Sequence, residues 1–245
     1  MTRTLVHGAG RMARRVLAQL HDCESFELVG LVSRTRPAED PGVDWHPTLL
    51  ELNTAADLLI DFTLPDGTRV AADWCAARNV ALLSGTTGLA GTDIEALKNA
   101  SLKVPVLWAP NLSYGVALMK ALVRQAAHAM DTGAKVTVSD IHHKHKLDAP
   151  SGTALALADA VMEGRAGATD KASGSGAVDV IFNSLREGEV VGEHTVSFGL
   201  PEEVIEITHK ALDRDVFAKG ALKAAGWLVK QPPGYYSTND WLGLG

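Results

Sequence analysis

A short segment near the middle of the chain, from Asp140 to Thr153, carries many of its reactive side chains. Its sequence is DIHHKHKLDAPSGT, with three histidines and two lysines within five positions. These side chains cannot all be buried in neutral form at acceptable cost, so they predict a cationic, proton-donating surface. The following Ser151, Gly152 and Thr153 begin a predicted helix, whose N-terminal N–H groups and dipole favour an anion. Together these features predict a pocket for a small anionic substrate that carries carboxylates.

Two other interpretations of this segment stay open. Histidine clusters bind zinc, but neighbouring residues on an extended segment point to opposite faces, and lysine charges repel a cation. We therefore expect no metal at His142, His143 and His145. The second alternative is a solvated basic turn, since charged loops are common.

A glycine motif at the N-terminus, Gly8-Ala9-Gly10-Arg11-Met12-Ala13, follows a predicted strand and opens a predicted helix. Glycines allow a tight turn and let backbone N–H groups approach a pyrophosphate, whose charge the helix N-terminus then favours. The motif predicts dinucleotide binding by Gly8, Gly10, Arg11 and Met12. A plain tight turn is the alternative.

The residues at the end of the second predicted strand, about 20 positions beyond the glycine motif, select between NADH and NADPH. This chain has Ser33 there, followed by Arg34 and Arg36, where an acidic residue is usual for NADH. Arginine binds phosphate through paired, charge-assisted hydrogen bonds. We therefore expect NADPH to be preferred, and NADH remains possible. The alternative is an exposed basic loop.

Two further loops end predicted parallel strands. Open α/β sheets bind ligands outside the carboxyl ends of their strands, so both loops are expected to meet the nicotinamide half of the cofactor. The residues predicted to do so are Gly85, Thr86, Thr87, Ala109, Pro110, Asn111 and Leu112.

The elements that position these residues fall into two patterns. Up to residue 113, short apolar strands alternate with helices, which indicates a Rossmann-type doubly wound parallel sheet; from residue 114 the pattern is that of a second, α+β domain. The predicted strands are 4–6, 26–32, 57–61, 80–83, 104–108, 135–141, 178–182, 190–198 and 203–208. The predicted helices are 12–20, 66–78, 93–100, 115–130, 153–162 and 215–230, with a glycine-rich loop at 166–176 and a Pro/Gly-rich tail from 231.

Composition limits the partners and the location. The 245 residues carry a net charge of −6, which argues against a nucleic-acid partner. No run of about 18 apolar residues is present, so no membrane span is expected. The first residues lead directly into the glycine motif without an apolar stretch, so export is not expected either. The two cysteines, Cys23 and Cys75, suit a reducing compartment, so we expect a cytoplasmic protein.

Several blocks along nearly the whole chain resemble the 4-hydroxy-tetrahydrodipicolinate reductase (dihydrodipicolinate reductase) family. The most specific is the paired histidine, lysine and D-A-P-S-G-T segment. The others, in family order, are Asp61–Thr63, Gly85–Gly88, Asn111–Val116, Val191–Thr195 and Ile207–Ala211.

The resemblance implies an enzyme of lysine (diaminopimelate) biosynthesis that reduces a tetrahydrodipicolinate-type ring with hydride from NADH or NADPH. By matching position, His142 and Lys146 would be the catalytic pair, with His142 favoured as the general acid. His143, Lys146, Gly152 and Thr153 would hold the substrate carboxylates. Residues 1–113, completed by 214–245, would bind the dinucleotide, and 114–213 would bind substrate and build a homotetramer.

The chain departs from the family pattern in the cofactor-binding region. Its glycine loop is one residue shorter and has Ala13 where glycine is common, and Ser33 replaces the acidic residue of members that use NADH well. Two other functions remain as alternatives: a related NADP-dependent reductase of another small dicarboxylate, and a non-catalytic NADP-binding regulator on the same fold.

Overall fold

The computed structural model describes residues 1–38, 40–130, 133–166 and 179–244. The glycine-rich loop expected at 166–176 lies, apart from Ala166, outside these residues. In chain order the described strands and helices are β1 Thr2–His7, α1 Arg11–His21, β2 Phe26–Val32, β3 Trp45–His46, β4 Leu58–Asp61, α2 Pro65–Arg78, β5 Ala81–Ser84, α3 Gly91–Ser101, β6 Pro105–Trp108, α4 Tyr114–Ala129, β7 Lys135–His142, α5 Gly152–Ala166, β8 Val180–Arg186, β9 Gly192–Gly199, β10 Val204–Ala211, α6 Asp215–Leu228, β11 Gly234–Tyr236 and α7 Thr238–Leu242.

The first of two compact units comprises Met1–Ser113 and Asp215–Gly245. Its seven strands are all parallel and lie in the order β11-β6-β5-β4-β1-β2-β3. The strand order reverses between β1 and β4, which makes their carboxyl ends the topological switch point where such sheets bind ligands. The predicted Rossmann-type sheet is confirmed. Arg214, assigned from the sequence to this unit, belongs to the second unit instead.

Alternating side chains of the parallel strands bury both faces of this sheet. Leu5 and Leu59 pack on the face covered by α2 and α3, whereas their neighbours Val6 and Ile60 pack on the face covered by α1 and α6. All four are fully buried, and each such side chain contributes about 1.5–3 kcal/mol relative to an exposed one. The sheet is therefore a rigid support for the loops at its carboxyl edge.

The helix that follows β4 begins and ends at residues suited to its termini. Pro65 occupies the first turn of α2, where its fixed φ suits the helix and its missing N–H has no intrahelical acceptor. Asn79 ends the helix in the left-handed conformation, with φ 56°. These signals place the loop Phe62–Leu64 directly at the switch point.

The second unit, Tyr114–Arg214, is the predicted α+β domain. Its mixed four-stranded sheet has the order β10-β9-β7-β8, with β7 and β8 parallel and the other neighbours antiparallel. The pair α4 and α5 covers one face, where Met119, Val138, Leu157 and Phe198 form the core. This core ends toward the carboxyl end of β7, where the inner face becomes polar.

Three short elements of the first unit were not predicted from the sequence. The strand β3 has only two residues, and β11 and α7 lie in the Pro/Gly-rich tail. Both strands are at sheet edges, and their lengths are too short to show an alternating pattern. Within the described residues, every helix is too short or too polar to span a lipid bilayer.

Candidate functional site

A cavity of about 630 Å³ opens at the switch point of the first unit. Its walls come from the glycine loop, the end of β2, the segment after β3 and the start of α2. The residues that line it are His7, Gly8, Ala9, Gly10, Ser33, Arg34, Thr35, Pro47, Thr48, Leu49, Phe62, Thr63, Leu64, Asp66, Gly67 and Val70.

The glycine loop of this cavity fits a dinucleotide phosphate. Gly8 has φ +114°, and a Cβ there would come within 2.5 Å of the Phe62 carbonyl oxygen, so only glycine fits. A Cβ on Gly10 would meet nothing within 4 Å. Gly10 is the N-cap of α1 and gives the helix no side-chain cap. The helix N-terminus is therefore able to receive an anion, which is the geometry a pyrophosphate needs.

The loop after β2 lines the same cavity and is ordered by its own hydrogen bonds. The Ser33 hydroxyl donates to the Thr35 carbonyl oxygen at 2.8 Å and accepts the indole N–H of Trp45 at 3.1 Å. The guanidinium of Arg36 lies 5.9 Å from the Trp45 ring centroid, within the range of a cation–π contact. Arg34 is exposed at the cavity. Ser33 thus shapes the loop, and Arg34 is the cation available to a ligand.

A buried carboxylate, Asp61, connects the loops at the switch point. It accepts hydrogen bonds from the hydroxyls of Thr63, Thr68, Ser84 and Thr86, at 2.6–3.0 Å. Its Oδ1 also lies 3.2 Å from Nδ1 of His7. Burial raises the pKa of Asp61, but His7 and the hydroxyls more than offset this and hold it below the ordinary value.

The predicted cofactor residues divide into two groups. Among the described residues, the cavity lining includes Gly8, Gly10, Ser33 and Arg34 but not the other predicted members. The loops after β5 and β6 are tied to its rim, since Thr86 Oγ1 accepts the Thr63 N–H and Trp108 Nε1 donates to the Thr86 carbonyl oxygen. The predicted residues outside the lining are Arg11, Met12, Gly85, Thr86, Thr87, Ala109, Pro110, Asn111 and Leu112.

In the second unit, the sheet face that α4 and α5 cover becomes polar toward the carboxyl end of β7. The polar residues there are cross-strand partners. Ser184 of β8, Asp140 of β7, His194 of β9 and His209 of β10 are aligned by the strand register. The next row in the same direction holds Arg186 and His142. Residues two apart on a strand share a face, so the histidine, the carboxylate and the arginine are held together by rigid strands.

His142 lies in this buried polar region. Its Nδ1 is 2.9 Å from Asp140 Oδ1, and the residue is 8% exposed. Gly192 of β9 lies beside Nε2 of the same ring, where a Cβ would come within 3.1 Å. Glycine at this position therefore keeps a side chain away from the second imidazole nitrogen. The ring of His194 meets that of His142 edge-on, with centroids 5.1 Å apart.

The protonation states follow from burial and these partners. Burial raises the pKa of Asp140, but hydrogen bonds from Ser184 and Arg186 more than offset it, so the pKa lies below the ordinary value. Burial lowers the pKa of His142; Asp140 raises it, Lys146 lowers it, and the net shift is downward. Without a ligand, His142 is therefore mainly neutral at pH 7, beside an ionised Asp140.

The predicted substrate residues at the start of α5 have different surroundings. Ser151 is buried, and its Oγ accepts the Ala154 N–H at 3.1 Å as the helix N-cap. The same oxygen pairs with Nε2 of His194 at 3.2 Å. Gly152 is exposed, and a Cβ there would meet nothing within 4 Å. Ser151 thus forms the helix terminus, whereas Gly152 lies at its open surface.

The histidine-lysine segment, expected from the sequence to be extended, is a turn. His142 ends β7, and the Lys146 N–H donates to the His143 carbonyl oxygen at 3.1 Å. Lys146 is 23% exposed and its Nζ lies 2.8 Å from Asp148 Oδ1. His143 is half-buried, and His145 is exposed. In the part of the chain that the structure describes, no three His, Cys, Asp or Glu side chains converge as a metal site.

Asp140, Arg186 and His194 had no role predicted from the sequence. Asp140 could have been found from its position two residues before His142, which puts both on one face of a strand. Arg186 and His194 become neighbours of His142 only through the register of β8 and β9, which sequence spacing alone does not reveal.

Acid is expected to destabilise the second unit through His194. Burial lowers the pKa of His194 from 6.5 to about 4, and the neighbouring His142 adds to this. The unfolded chain therefore binds more protons between these values, so the stabilisation is complete above pH 6.5 and lost as the pH falls through about 4. Full loss corresponds to about 3 kcal/mol. Urea unfolding should show a smaller decline toward acid in His194→Gln than in the wild type; equal declines would contradict the assignment.

Comparison with protein families finds matches over both units. The family model described as "Dihydrodipicolinate reductase, N-terminus" matches residues 2–112, and "Dihydrodipicolinate reductase, C-terminus" matches residues 115–242. Two similar relatives are called 4-hydroxy-tetrahydrodipicolinate reductase. That of Halorhodospira halophila is 37% identical and that of Psychrobacter arcticus 43% identical; the alignments cover 98% of this chain in both cases, and 98% and 94% of the relative.

Solved structures show the same architecture. The dipicolinate-bound dihydrodipicolinate reductase from Paenisporosarcina sp. TG-14 aligns with a TM-score of 0.81 over 98% of each chain, at 22% identity. An aspartate dehydrogenase from Thermotoga maritima aligns with a TM-score of 0.55 over 95% of this chain and 98% of its own, at 12% identity. At these identities the likeness concerns the fold.

Proposed function

This chain belongs to the dihydrodipicolinate reductase family; we propose that it reduces 4-hydroxy-tetrahydrodipicolinate with NADPH as the preferred hydride donor and His142 as the general acid. The chain is an oxidoreductase of lysine biosynthesis that uses a nicotinamide cofactor. The observation that carries the assignment of the acid is the contact of the buried His142 with the buried carboxylate of Asp140, which also accepts the Ser151 N–H just before α5.

Conversion of 4-hydroxy-tetrahydrodipicolinate to tetrahydrodipicolinate adds a hydride and a proton and releases the 4-hydroxyl as water. The cofactor, when bound, supplies the hydride. Negative charge then develops on the substrate ring, and a positioned acid must deliver a proton to it. The unperturbed pKa of histidine, about 6.5, suits this task near neutral pH, and Nε2 of His142 has no side chain from Gly192 against it.

Substrate binding itself would supply the charged form of His142. The imidazole of the free enzyme is mainly neutral, because burial, Lys146 and Arg186 all lower its pKa. A dicarboxylate substrate brings two negative charges, which favour the protonated imidazole. The acid is then protonated when the substrate is present to receive the proton.

Lys146 is proposed to bind and polarise the substrate. Its ammonium group pairs with Asp148, whose side chain is 58% exposed, so the partner is loosely held. A substrate carboxylate would take the place of Asp148 at the ammonium group. We propose that His143, Gly152 and Thr153 complete the carboxylate site, with Ser151 supporting it as the N-cap of α5.

The preference for NADPH rests on Arg34. Its guanidinium is exposed at the cavity, in a loop fixed by Ser33 and Trp45. Acidic side chains at this position would accept the ribose hydroxyls of NADH, whereas a guanidinium pairs with the additional phosphate of NADPH. Among the cavity-lining residues Asp66 is the acidic one, and it pairs with Arg69.

Arg34→Ala is expected to weaken NADPH much more than NADH. Loss of a hydrogen-bonded charge partner costs about 1.5–3 kcal/mol, which is about 10–150-fold in the specificity constant. Steady-state titration of both cofactors measures the effect, and Arg36→Ala, which removes the side chain stacked on Trp45, is the matched control. If the wild-type enzyme had a higher specificity constant for NADH than for NADPH, the proposed preference would be refuted.

The overall function is tested by a coupled assay. The substrate is generated in situ by its synthase, and nicotinamide absorbance is followed. We expect synthase-dependent oxidation of NADPH by the wild type. Absence of turnover with 4-hydroxy-tetrahydrodipicolinate, together with turnover of another dicarboxylate, would favour the related reductase instead.

The homotetramer and the cytoplasmic location stay predictions. Support for an assembly through the second unit comes from the outer face of its sheet, opposite the face that α4 and α5 cover; none of the described helices of this unit packs on it. Its apolar side chains Ile181, Leu185 and Val204 are 51%, 50% and 61% exposed. Apolar surface of this kind is typical of an interface between protein chains.

A further inference from the structure

We propose that Asp140 is the positioning residue of the reaction: it holds His142 by Nδ1, so that Nε2 carries the proton that reaches the substrate, and Arg186 is its counter-charge. The proposal rests on the proposed function, because it takes His142 as the acid.

The geometry around Asp140 is that of a fixed charge rather than a surface carboxylate. Asp140 is 0% exposed. Its Oδ1 accepts from Arg186 Nη1 at 2.8 Å and lies 2.9 Å from Nδ1 of His142. Its Oδ2 accepts from Ser184 Oγ at 2.6 Å and from the Ser151 N–H at 3.4 Å. A buried carboxylate with this many donors has one allowed position, and so does the ring bonded to it.

The carboxylate also determines which imidazole nitrogen exchanges a proton. An ionised carboxylate only accepts hydrogen bonds, so Nδ1 of His142 must keep its hydrogen in both the neutral and the charged ring. Nε2 then gains and loses the proton. Gly192, which has no side chain, lies beside Nε2. The nitrogen that exchanges the proton is therefore not blocked by a side chain at position 192.

Asp140 further couples the acid to the substrate site. Asp140 accepts a hydrogen bond from the N–H of Ser151, the residue just before α5. The Ser151 side chain caps that helix. Arg186 extends the connection, because its Nη2 donates to the Asp148 carbonyl oxygen. One carboxylate therefore sets the relative positions of His142, the start of α5 and the segment that contains Lys146.

The charges that face His142 come from every strand packed against it. Asp140 on its own strand favours the protonated ring, whereas Arg186 on β8 and Lys146 in the following turn disfavour it. His194 on β9 meets the ring edge-on and is itself mainly neutral at pH 7. Asp140 is thus the anionic partner that offsets two cations, and its removal should make His142 harder to protonate.

Asp140→Asn should lower kcat by about 10–100-fold, the usual effect of losing a partner that orients a functional histidine. The Kd for NADPH should stay unchanged. The falling alkaline limb of kcat against pH should move to lower pH by about 1–3 pH units, because a nearby opposite charge is lost. Ser184→Ala is the matched control: it removes a neutral donor from the same carboxylate and should leave that limb in place or move it to higher pH.

A second measurement uses the wild-type protein. Nitrogen-15 chemical shifts of labelled histidines, with the His142 signals assigned by their absence in His142→Gln, report which nitrogen is protonated. We expect the neutral ring to carry its hydrogen on Nδ1, and an Nε2–H ring would overturn the proposal even if Asp140→Asn did not fold. If Asp140→Asn left kcat and the alkaline limb unchanged while His142→Gln was impaired, the role of Asp140 would be refuted and the role of His142 would stand. Full turnover in His142→Gln would instead refute the proposed function of His142.

Discussion

His142→Gln is expected to lower kcat by about 10²–10⁴-fold, which is the usual contribution of a general acid. Glutamine has a similar size and keeps a donor near Asp140, but it cannot supply a proton from a group that titrates near neutral pH. The affinity for NADPH should stay nearly unchanged, because His142 belongs to the second unit, whereas the described residues that line the cavity proposed for the cofactor belong to the first.

Two controls separate loss of the acid from other effects. Direct binding of NADPH to the variant tests whether the first unit is intact. His145→Gln removes a neighbouring histidine that is exposed and has no contact with Asp140 among the described hydrogen bonds, so it should keep near-normal turnover. Near wild-type kcat in His142→Gln would mean that another group, such as His143 or a bound water, delivers the proton.

Lys146→Ala should lower kcat/KM by about 10²–10³-fold, the effect expected when one donor that stabilises developing negative charge is lost. Unlike His142→Gln, it should also raise the Kd for substrate, because a bound carboxylate loses its charge partner. Equilibrium binding of a non-reactive dicarboxylate analogue measures that part separately. Lys144→Ala is the matched control, since Lys144 is an exposed lysine of the same turn.

The two substitutions should not combine multiplicatively if His142 and Lys146 act on the same reacting system. The double variant is therefore expected to be little slower than the slower single variant. An exact product of the two losses would indicate independent roles. An unchanged substrate Kd in Lys146→Ala would show that Asp148, rather than substrate, is its permanent partner.

The sequence predicted the parts of the fold that have strong periodic patterns. The parallel strands of the first unit are short and apolar, and the loop at Gly8 has glycine where φ is +114° and a side chain would strike Phe62. The resemblance then pointed to His142 and Lys146, which the structure places at the end of β7 and in the turn that follows it. These features depend on neighbouring residues, so a linear reading was sufficient to find them.

Other parts of the site depend on which strands pair. Arg186 reaches Asp140 across 46 positions, through the parallel register of β7 and β8. Ser33 was expected to contact the ribose, but its hydroxyl accepts a hydrogen bond from the indole of Trp45. Trp45 lies on an edge strand of two residues, which is too short to be predicted from an alternating pattern. Ser151 likewise matched a predicted anion site, but its contacts with Asp140 and His194 depend on how β7 and β9 pair.

The return of the C-terminal segment to the first unit has a consequence for how the protein is made. One face of the parallel sheet is covered partly by α6, whose Ala221, Ala225 and Leu228 are completely buried against residues such as Val16 and Leu107. During synthesis, the first 113 residues therefore leave the ribosome without the helix that completes their core. The second unit is continuous in sequence and can reach its native contacts earlier, whereas the first must wait for α6. The first unit therefore cannot complete its core before α6 has been made, and a fragment cut after Ser113 would expose the apolar face that α6 normally covers.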